Sequence, residues 1–177
     1  MNILIDFIAL VLLYVLIFFK RWRARGASVL LANSMMYLYL SFVLYFTLMP
    51  IITSLPFLWN HPYVPMNWIP FIDILKGRGD FVRQVVLNVI MMVPFGCLVP
   101  CVKRGKTTFL RVLLDTFLFS LCIELLQPLI DGARSSDVTD LITNSIGGIL
   151  GYGLYILVRP IIVKLFRFID DRDSSIS

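Results

Sequence analysis

Glu124, Gln127, Arg134, Asp137, Asp140 and Asn144 stand inside or between two strongly apolar segments. A charged side chain at membrane depth costs roughly 2.5–3.5 kcal/mol on insertion scales, so by default it marks a functional site. Ser120, Glu124 and Gln127 lie at i−4, i and i+3, which puts them on one face of a helix. Asp137, Asp140 and Asn144 lie at i, i+3 and i+7, again one face, and the same stripe continues into Gly147, Gly148 and Gly151. Small residues let a second helix approach closely. The short connection between the two segments makes the Glu124 helix the expected neighbour of that stripe.

The chemistry on offer is that of carboxylates. Glu124 would serve as a general acid or base, with Asp140 as its partner and Arg134 as an anion clamp. The preceding apolar span adds Arg83, Gln84 and Asn88 at one of its ends, and Arg83 and Arg134 are the expected counter-charges. The ligand-binding set read from the sequence is therefore Arg83, Asn88, Glu124, Gln127, Arg134, Asp137, Asp140 and Asn144, with Glu124 and Asp140 as catalytic candidates. The competing reading is a structural network of ion pairs and hydrogen bonds that fixes helix register. No Ser-His pair, His-Glu-x-x-His motif or phosphatase-type signature is present. The single histidine, His61, falls in a loop, which rules out multi-histidine metal chemistry. A hard divalent ion suits clustered carboxylates, but no metal centre and no cofactor are read from these residues.

These residues must be positioned by membrane helices. Of 177 residues, 59% are hydrophobic, against about 45–50% for soluble domains, and the mean hydropathy is +0.87. The expected fold is all-α: one polytopic membrane domain of about five transmembrane helices, near 3–19, 30–52, 85–101, 108–130 and 138–158. Each approaches the ~20 residues needed to cross ~30 Å of hydrocarbon. The start of the chain lacks a basic region ahead of its apolar run, so the first helix is expected to be retained rather than cleaved. Cys97, Cys101 and Cys122 read as buried apolar cysteines, not a disulfide framework. Met91-Met-Val-Pro-Phe-Gly96 puts Pro94 inside the third span, where a packing kink is expected.

Charge sets the expected orientation. Residues 20–25, 103–111 and 159–172 hold twelve of the sixteen basic residues. All three segments fall on one side of a five-span chain. The positive-inside rule then places the N-terminus outside and the C-terminus in the cytoplasm. The longest connection, about residues 53–84, is then extracellular. It alternates Pro56, Pro62, Pro65 and Pro70 with Phe57, Trp59, Tyr63, Trp68 and Phe71. Proline-broken, aromatic sequence suits an interfacial segment or a cap on the bundle. After Pro160, residues 159–177 read as a separate short cytoplasmic helix at the interface, followed by a frayed tail.

The pattern Asn88, Pro94-Phe-Gly96, Glu124-x-x-Gln127, Arg134, Asp137-x-x-Asp140, Asn144 and Gly147/Gly148/Gly151 resembles the VanZ-like family of bacterial membrane proteins. Asn67-Trp-Ile-Pro-Phe71 is similar to that family's loop motif. The resemblance covers about residues 37–158. It implies a cell-envelope protein linked to low-level resistance to teicoplanin, a lipoglycopeptide antibiotic, and it implies no assigned reaction.

Two functions from different classes follow as expectations. The first is a non-enzymatic envelope protein whose outward acidic pocket binds an amphiphile, either the lipoglycopeptide or a wall-precursor lipid. Membrane lipid is then the partner and nucleic acid is not. The second is an intramembrane enzyme, a carboxylate acid/base hydrolase or transferase acting on an envelope lipid. A channel is disfavoured because the polar groups cluster at one end and no polar stripe spans the bilayer.

Overall fold

A computed structural model describes residues 2–57, 63–72, 76–77, 79–130 and 135–175. Five long helices account for most of them. Helix α1 is apolar over Ile3–Arg23. It is α-helical over Asn2–Leu13, π-helical over Tyr14–Phe19 and α-helical again over Lys20–Arg23. Tyr14, Phe18, Trp22 and Tyr37 cluster around the wider π turns. Helix α2 is Ala27–Thr47, α3 is Phe81–Val102, α4 is Phe109–Ile130 and α5 is Val138–Ser174. The described residues contain no strand, only an isolated parallel bridge between Asn67 and Asp137.

Helices α1, α2, α3 and α5 are long and apolar enough to cross a membrane. Helix α4 has 22 residues, about 33 Å at 1.5 Å per residue, and carries Arg111, Asp115 and Glu124. The outer faces of the bundle are apolar: Leu16, Phe46, Leu110 and Leu157 are all more than 60% exposed. In water such a surface would drive aggregation; facing lipid it is the expected surface. The protein is a helical membrane protein.

Lipid is as apolar as leucine, so helices in it associate through close packing and polar contacts instead. Here the close packing comes from glycine. A Cβ at Gly151 would sit 2.0 Å from the Val93 carbonyl oxygen, one at Gly147 would sit 2.3 Å from that of Val89, and one at Gly96 would meet Gly148 O at 2.0 Å. The glycine stripe of α5 therefore lies mainly against α3. Only Gly148 turns toward α4, where a Cβ would meet Thr116 Oγ1 at 2.5 Å. The expectation that the stripe packs on α4 is corrected: sequence proximity suggested α4, but Gly96 makes α3 the helix with a matching flat face. Around this seam, Val43, Met92, Phe95, Val99, Val112 and Ile123 form the main apolar core.

Three further expectations are corrected. No separate helix begins after Pro160, because α5 runs unbroken to Ser174. Proline removes one N–H and crowds one carbonyl, and contacts beyond it outweigh that loss. Ile162 and Phe166 pack on Ala32, Cys101 and Tyr155, while Asp170 and Asp173 bind other helices. The last turns are accordingly helical rather than frayed as far as Ser174. Cys122 is exposed on the outside of α4, whereas Cys101 is buried and Cys97 partly so.

Ion pairs gather the basic turns at one end. Arg23 pairs with Asp173 at 2.6 Å and Arg104 with Asp170 at 3.6 Å. Asp115 takes both Lys103 and Arg111. At the other end, the buried Asp6 carboxylate accepts the Ile51 and Ile52 N–H groups, each at 2.9 Å.

Candidate functional site

The site is built where α5 begins. Asp137 is the N-cap of that helix, and its Oδ1 accepts the Thr139 N–H at 2.7 Å. Asp is a favoured N-cap because it satisfies one of the orphan N–H groups of the first turn. Asp137 therefore stands at the lip of α5, and Asp140 one turn inside. The other Asp137 oxygen accepts Asn67 Nδ2 at 3.0 Å. Asn67 also pairs by its backbone: its N–H donates to Ser136 O at 2.9 Å, and its carbonyl accepts the Val138 N–H at 3.0 Å. Four residues on, the Phe71 N–H donates to Thr139 Oγ1 at 2.9 Å. The loop from Asn67 to Phe71 is thereby docked on the start of α5.

Glu124 is 2% exposed. Its Oε2 accepts the Asp137 N–H at 3.0 Å. Its backbone carbonyl accepts the Ser136 hydroxyl. The reason is four residues on, where Pro128 has no N–H to return to the Glu124 carbonyl. A carbonyl freed at membrane depth must find another donor, and Ser136 supplies it. Glu124 and Pro128 together fix the chain as it leaves α4 and enters α5.

Asp140 Oδ1 accepts Asn88 Nδ2 of α3 at 2.7 Å. Asn144, 1% exposed, donates to Ser120 of α4 at 2.8 Å. Its buried Oδ1 has no hydrogen-bond partner among the described residues. The polar stripe of α5 thus divides between two helices, Asp140 reaching α3 and Asn144 reaching α4.

A cavity of about 110 Å³ opens beside these residues. Asp137, Asp140, Thr139 and Ser135 line it from the start of α5, Gln84, Phe81 and Val85 from α3, and Phe71 from the docked loop. Among the described residues, Asp137 and Asp140 are the two carboxylates in its wall. Among the described residues no group of three His, Cys, Asp or Glu side chains is placed to hold a metal ion.

The residues singled out from sequence do not all meet here. Asp137 and Asp140 line the cavity, and Asn88 holds Asp140 from outside its lining. Glu124 stands behind Asp137 and lies outside the cavity lining, and Asn144 lies deeper. Gln127 donates instead to Thr47 O at 3.3 Å and faces a separate cavity of about 210 Å³ beside Pro50. Its role is to satisfy a carbonyl at the end of α2. Arg83 is solvent-exposed, and its nearest carboxylate is Asp80 at 4.0 Å, one helical turn away. Among the described residues it makes no ion pair with Asp137 or Asp140, so the expected counter-charge is corrected: the side chain is exposed to solvent instead. Arg134 and His61 fall outside the described residues.

Sequence reasoning had not placed Asn67, Phe71, Ser136 or Thr139 in the site. Two signals for them were present: Asn67 and Phe71 bound the loop motif noted above, and Asp137-Val-Thr-Asp140 has the form of an N-terminal capping sequence. Such a sequence puts Asp137 at the mouth of α5 and leaves the preceding Ser136 free to reach back.

Comparison with known proteins agrees with the architecture. The VanZ/LLP1 family profile matches residues 7–159. Protein VanZ of Enterococcus faecium is 31% identical over 126 residues, covering 71% of this chain and 74% of that protein. No solved structure is significantly similar. A profile match over most of the length, with a relative of this identity and coverage, shows that the chain belongs to the VanZ/LLP1 family.

Proposed function

We propose that this protein modulates resistance to lipoglycopeptide antibiotics of the teicoplanin type by binding an amphiphile at the outer face of the membrane. The amphiphile is the drug itself or a wall-precursor lipid. The observation that carries this reading is the pair of carboxylates, Asp137 and Asp140, in the wall of one cavity at the end of an otherwise apolar bundle. Neutral donors hold them, Asn67 and Asn88, and among the described residues no cation pairs with either, which leaves acceptor oxygens for an ammonium group or for hydroxyl and amide donors. The cavity's size suits part of a headgroup, and Phe71, Phe81 and the exposed Trp68 and Ile69 offer apolar surface beside it. Family membership supports the phenotype. The positive-inside rule supports an extracellular site, since the basic turns lie at the opposite end.

The test is an allelic series in susceptible bacteria scored for teicoplanin and vancomycin, with membrane abundance measured in parallel. Asp140→Asn and Asp137→Asn should raise teicoplanin sensitivity at normal abundance. Purified protein should bind lipoglycopeptide or precursor lipid saturably, and the variants more weakly. Full resistance in both variants would sink the reading.

An enzyme acting on an envelope lipid is the second reading, and the same carboxylate pair favours it. Asp140 would then be the acid–base group, and Glu124, engaged by the Asp137 N–H, a positioning residue. The two readings separate on Asp140→Asn: an enzyme loses turnover but keeps ligand binding, whereas a binder loses affinity.

A further inference from the structure

At the basic end of the bundle lies a further cavity, of about 210 Å³, at the opposite end of α5 from Asp137 and Asp140. Arg104, Arg159 and Arg167 line it, against one carboxylate, Asp170. That carboxylate is committed: its oxygens accept the Ser28 N–H at 3.1 Å and the Ser28 hydroxyl at 2.8 Å, and Arg104 lies 3.6 Å away. The nearby Asp173 is held by Arg23. Arg159 and Arg167 have no carboxylate partner among the described residues. The remaining wall is apolar, with Pro100 from α3 and Ile162 and Phe166 from α5.

We propose that this cavity binds the phosphate-bearing headgroup of an anionic phospholipid, with Arg159 and Arg167 as its principal ligands. Three features of the chain point the same way. Guanidinium groups match phosphate oxygens in a planar, two-pronged geometry, and basic pockets between membrane helices recognise anionic headgroups. Arg104 holds φ at +51°, followed by Gly105 at +71°; the left-handed region costs roughly 1–2 kcal/mol for a residue with a side chain. The turn is the C-terminal cap of α3, closed by the Arg104 N–H on Cys101 O at 3.1 Å and the Gly105 N–H on Pro100 O at 2.8 Å, and Arg104 lines the cavity from it. Beside the arginines, Ile162, Val163 and Phe166 line the same cavity, and Val163 is 37% exposed, so apolar surface for the start of an acyl chain adjoins the guanidinium groups. A soluble anion would make no use of that apolar flank. The unbroken passage of α5 through Pro160 matters here, because it carries Arg159 and Arg167 on one rigid rod. The inference stands apart from the proposed function and survives its failure.

The experiment is native mass spectrometry of the full chain in mixed micelles, with phosphatidylglycerol and phosphatidylcholine of matched acyl chains. The expected result is retention of one phosphatidylglycerol in preference to phosphatidylcholine by about tenfold or more, equivalent to about 1.4 kcal/mol. Arg159→Gln with Arg167→Gln should abolish the preference. The same two positions changed to Lys should keep most of it. Lys20→Gln with Arg21→Gln, exposed at the same end but outside the cavity, should leave it intact. Thermal transitions in phosphatidylcholine alone establish that each variant is folded. The proposal is overturned if the double Gln variant keeps the preference, or if the Lys20/Arg21 variant loses it equally, since general surface charge then explains the retention. Displacement of the lipid by equimolar inorganic phosphate also overturns it, by assigning the site to a soluble anion.

Discussion

At one end of α5, amides and backbone N–H groups hold the carboxylates. At the other end, guanidinium groups face them as well: Arg23 bonds Asp173, and Arg104 lies beside the Asp170 that Ser28 holds. Asp137 and Asp140 accept from Asn67, Thr139 and Asn88, all neutral donors. Asp170 and Asp173 face Arg104 and Arg23. Both arrangements tie the same helix to its neighbours, but their charge balance differs. Neutral donors fix a carboxylate without pairing it to a cation, and among the described residues no cation pairs with Asp137 or Asp140. Ion pairs cancel the carboxylates they fix, and the arginines in excess give the opposite end a positive cavity. One helix thus displays a carboxylate site and a guanidinium site, joined by a glycine seam that carries no charge.

That contrast can be broken most severely at the seam. Gly151→Leu forces a side chain into the space of the Val93 carbonyl. Overpacking costs typically 1–3 kcal/mol and more where backbone must move, so a loss of about 3 kcal/mol or more is expected. Folded yield and thermal unfolding in detergent should both fall, and both cavities should be lost together. Second in size, Glu124→Ala leaves the Asp137 N–H without its acceptor inside the bundle. A buried unsatisfied donor costs about 1–3 kcal/mol. Glu124→Gln, which keeps an acceptor, should cost less, and the gap between the two thermal shifts measures the hydrogen bond. Hydrogen exchange at the start of α5 should rise in the Ala variant while residues near Asp170 stay protected.

A smaller effect is expected at the basic end. Asp173→Asn removes the pairing with Arg23, both side chains being partly exposed. Such pairs contribute about 0.2–1 kcal/mol. The change should appear as faster exchange in the last turns of α5, sensitive to salt in the parent and not in the variant, with the Asp140 end unaffected. The smallest effect sharpens the comparison. Arg83→Gln should leave stability and any teicoplanin phenotype within error, because Arg83 is exposed and among the described residues pairs only with Asp80. A large loss there would mean that a cation does serve the carboxylate cavity.

The sequence by itself determined the class of the protein and the location of its polar chemistry. Apolar runs of bilayer length leave only helices, because lipid offers no partner for a free backbone N–H. Glu124, Asp137, Asp140 and Asn144 stand out because such residues are rare at that depth. The asymmetric charge of the turns separated the two ends. These signals are local or compositional, so they can be read along the chain.

The tertiary structure alone decided which of those residues meet. Helical spacing puts Glu124 and Gln127 on one face, yet Glu124 turns to Asp137 and Gln127 to Thr47, since a face is wide enough to touch two neighbours. Asp137 was grouped with the inward stripe but serves as the cap of α5. Gly96 selected α3 over α4 as the partner of the glycine seam. The docking of Asn67 on Ser136 and Val138 joins segments about seventy residues apart. Proline 160 reads locally as a helix break, and the packing of Ile162 and Phe166 with the bonds of Asp170 overrides it. In each case the deciding energy lies in contacts between distant parts of the chain, and one-dimensional spacing carries no record of them.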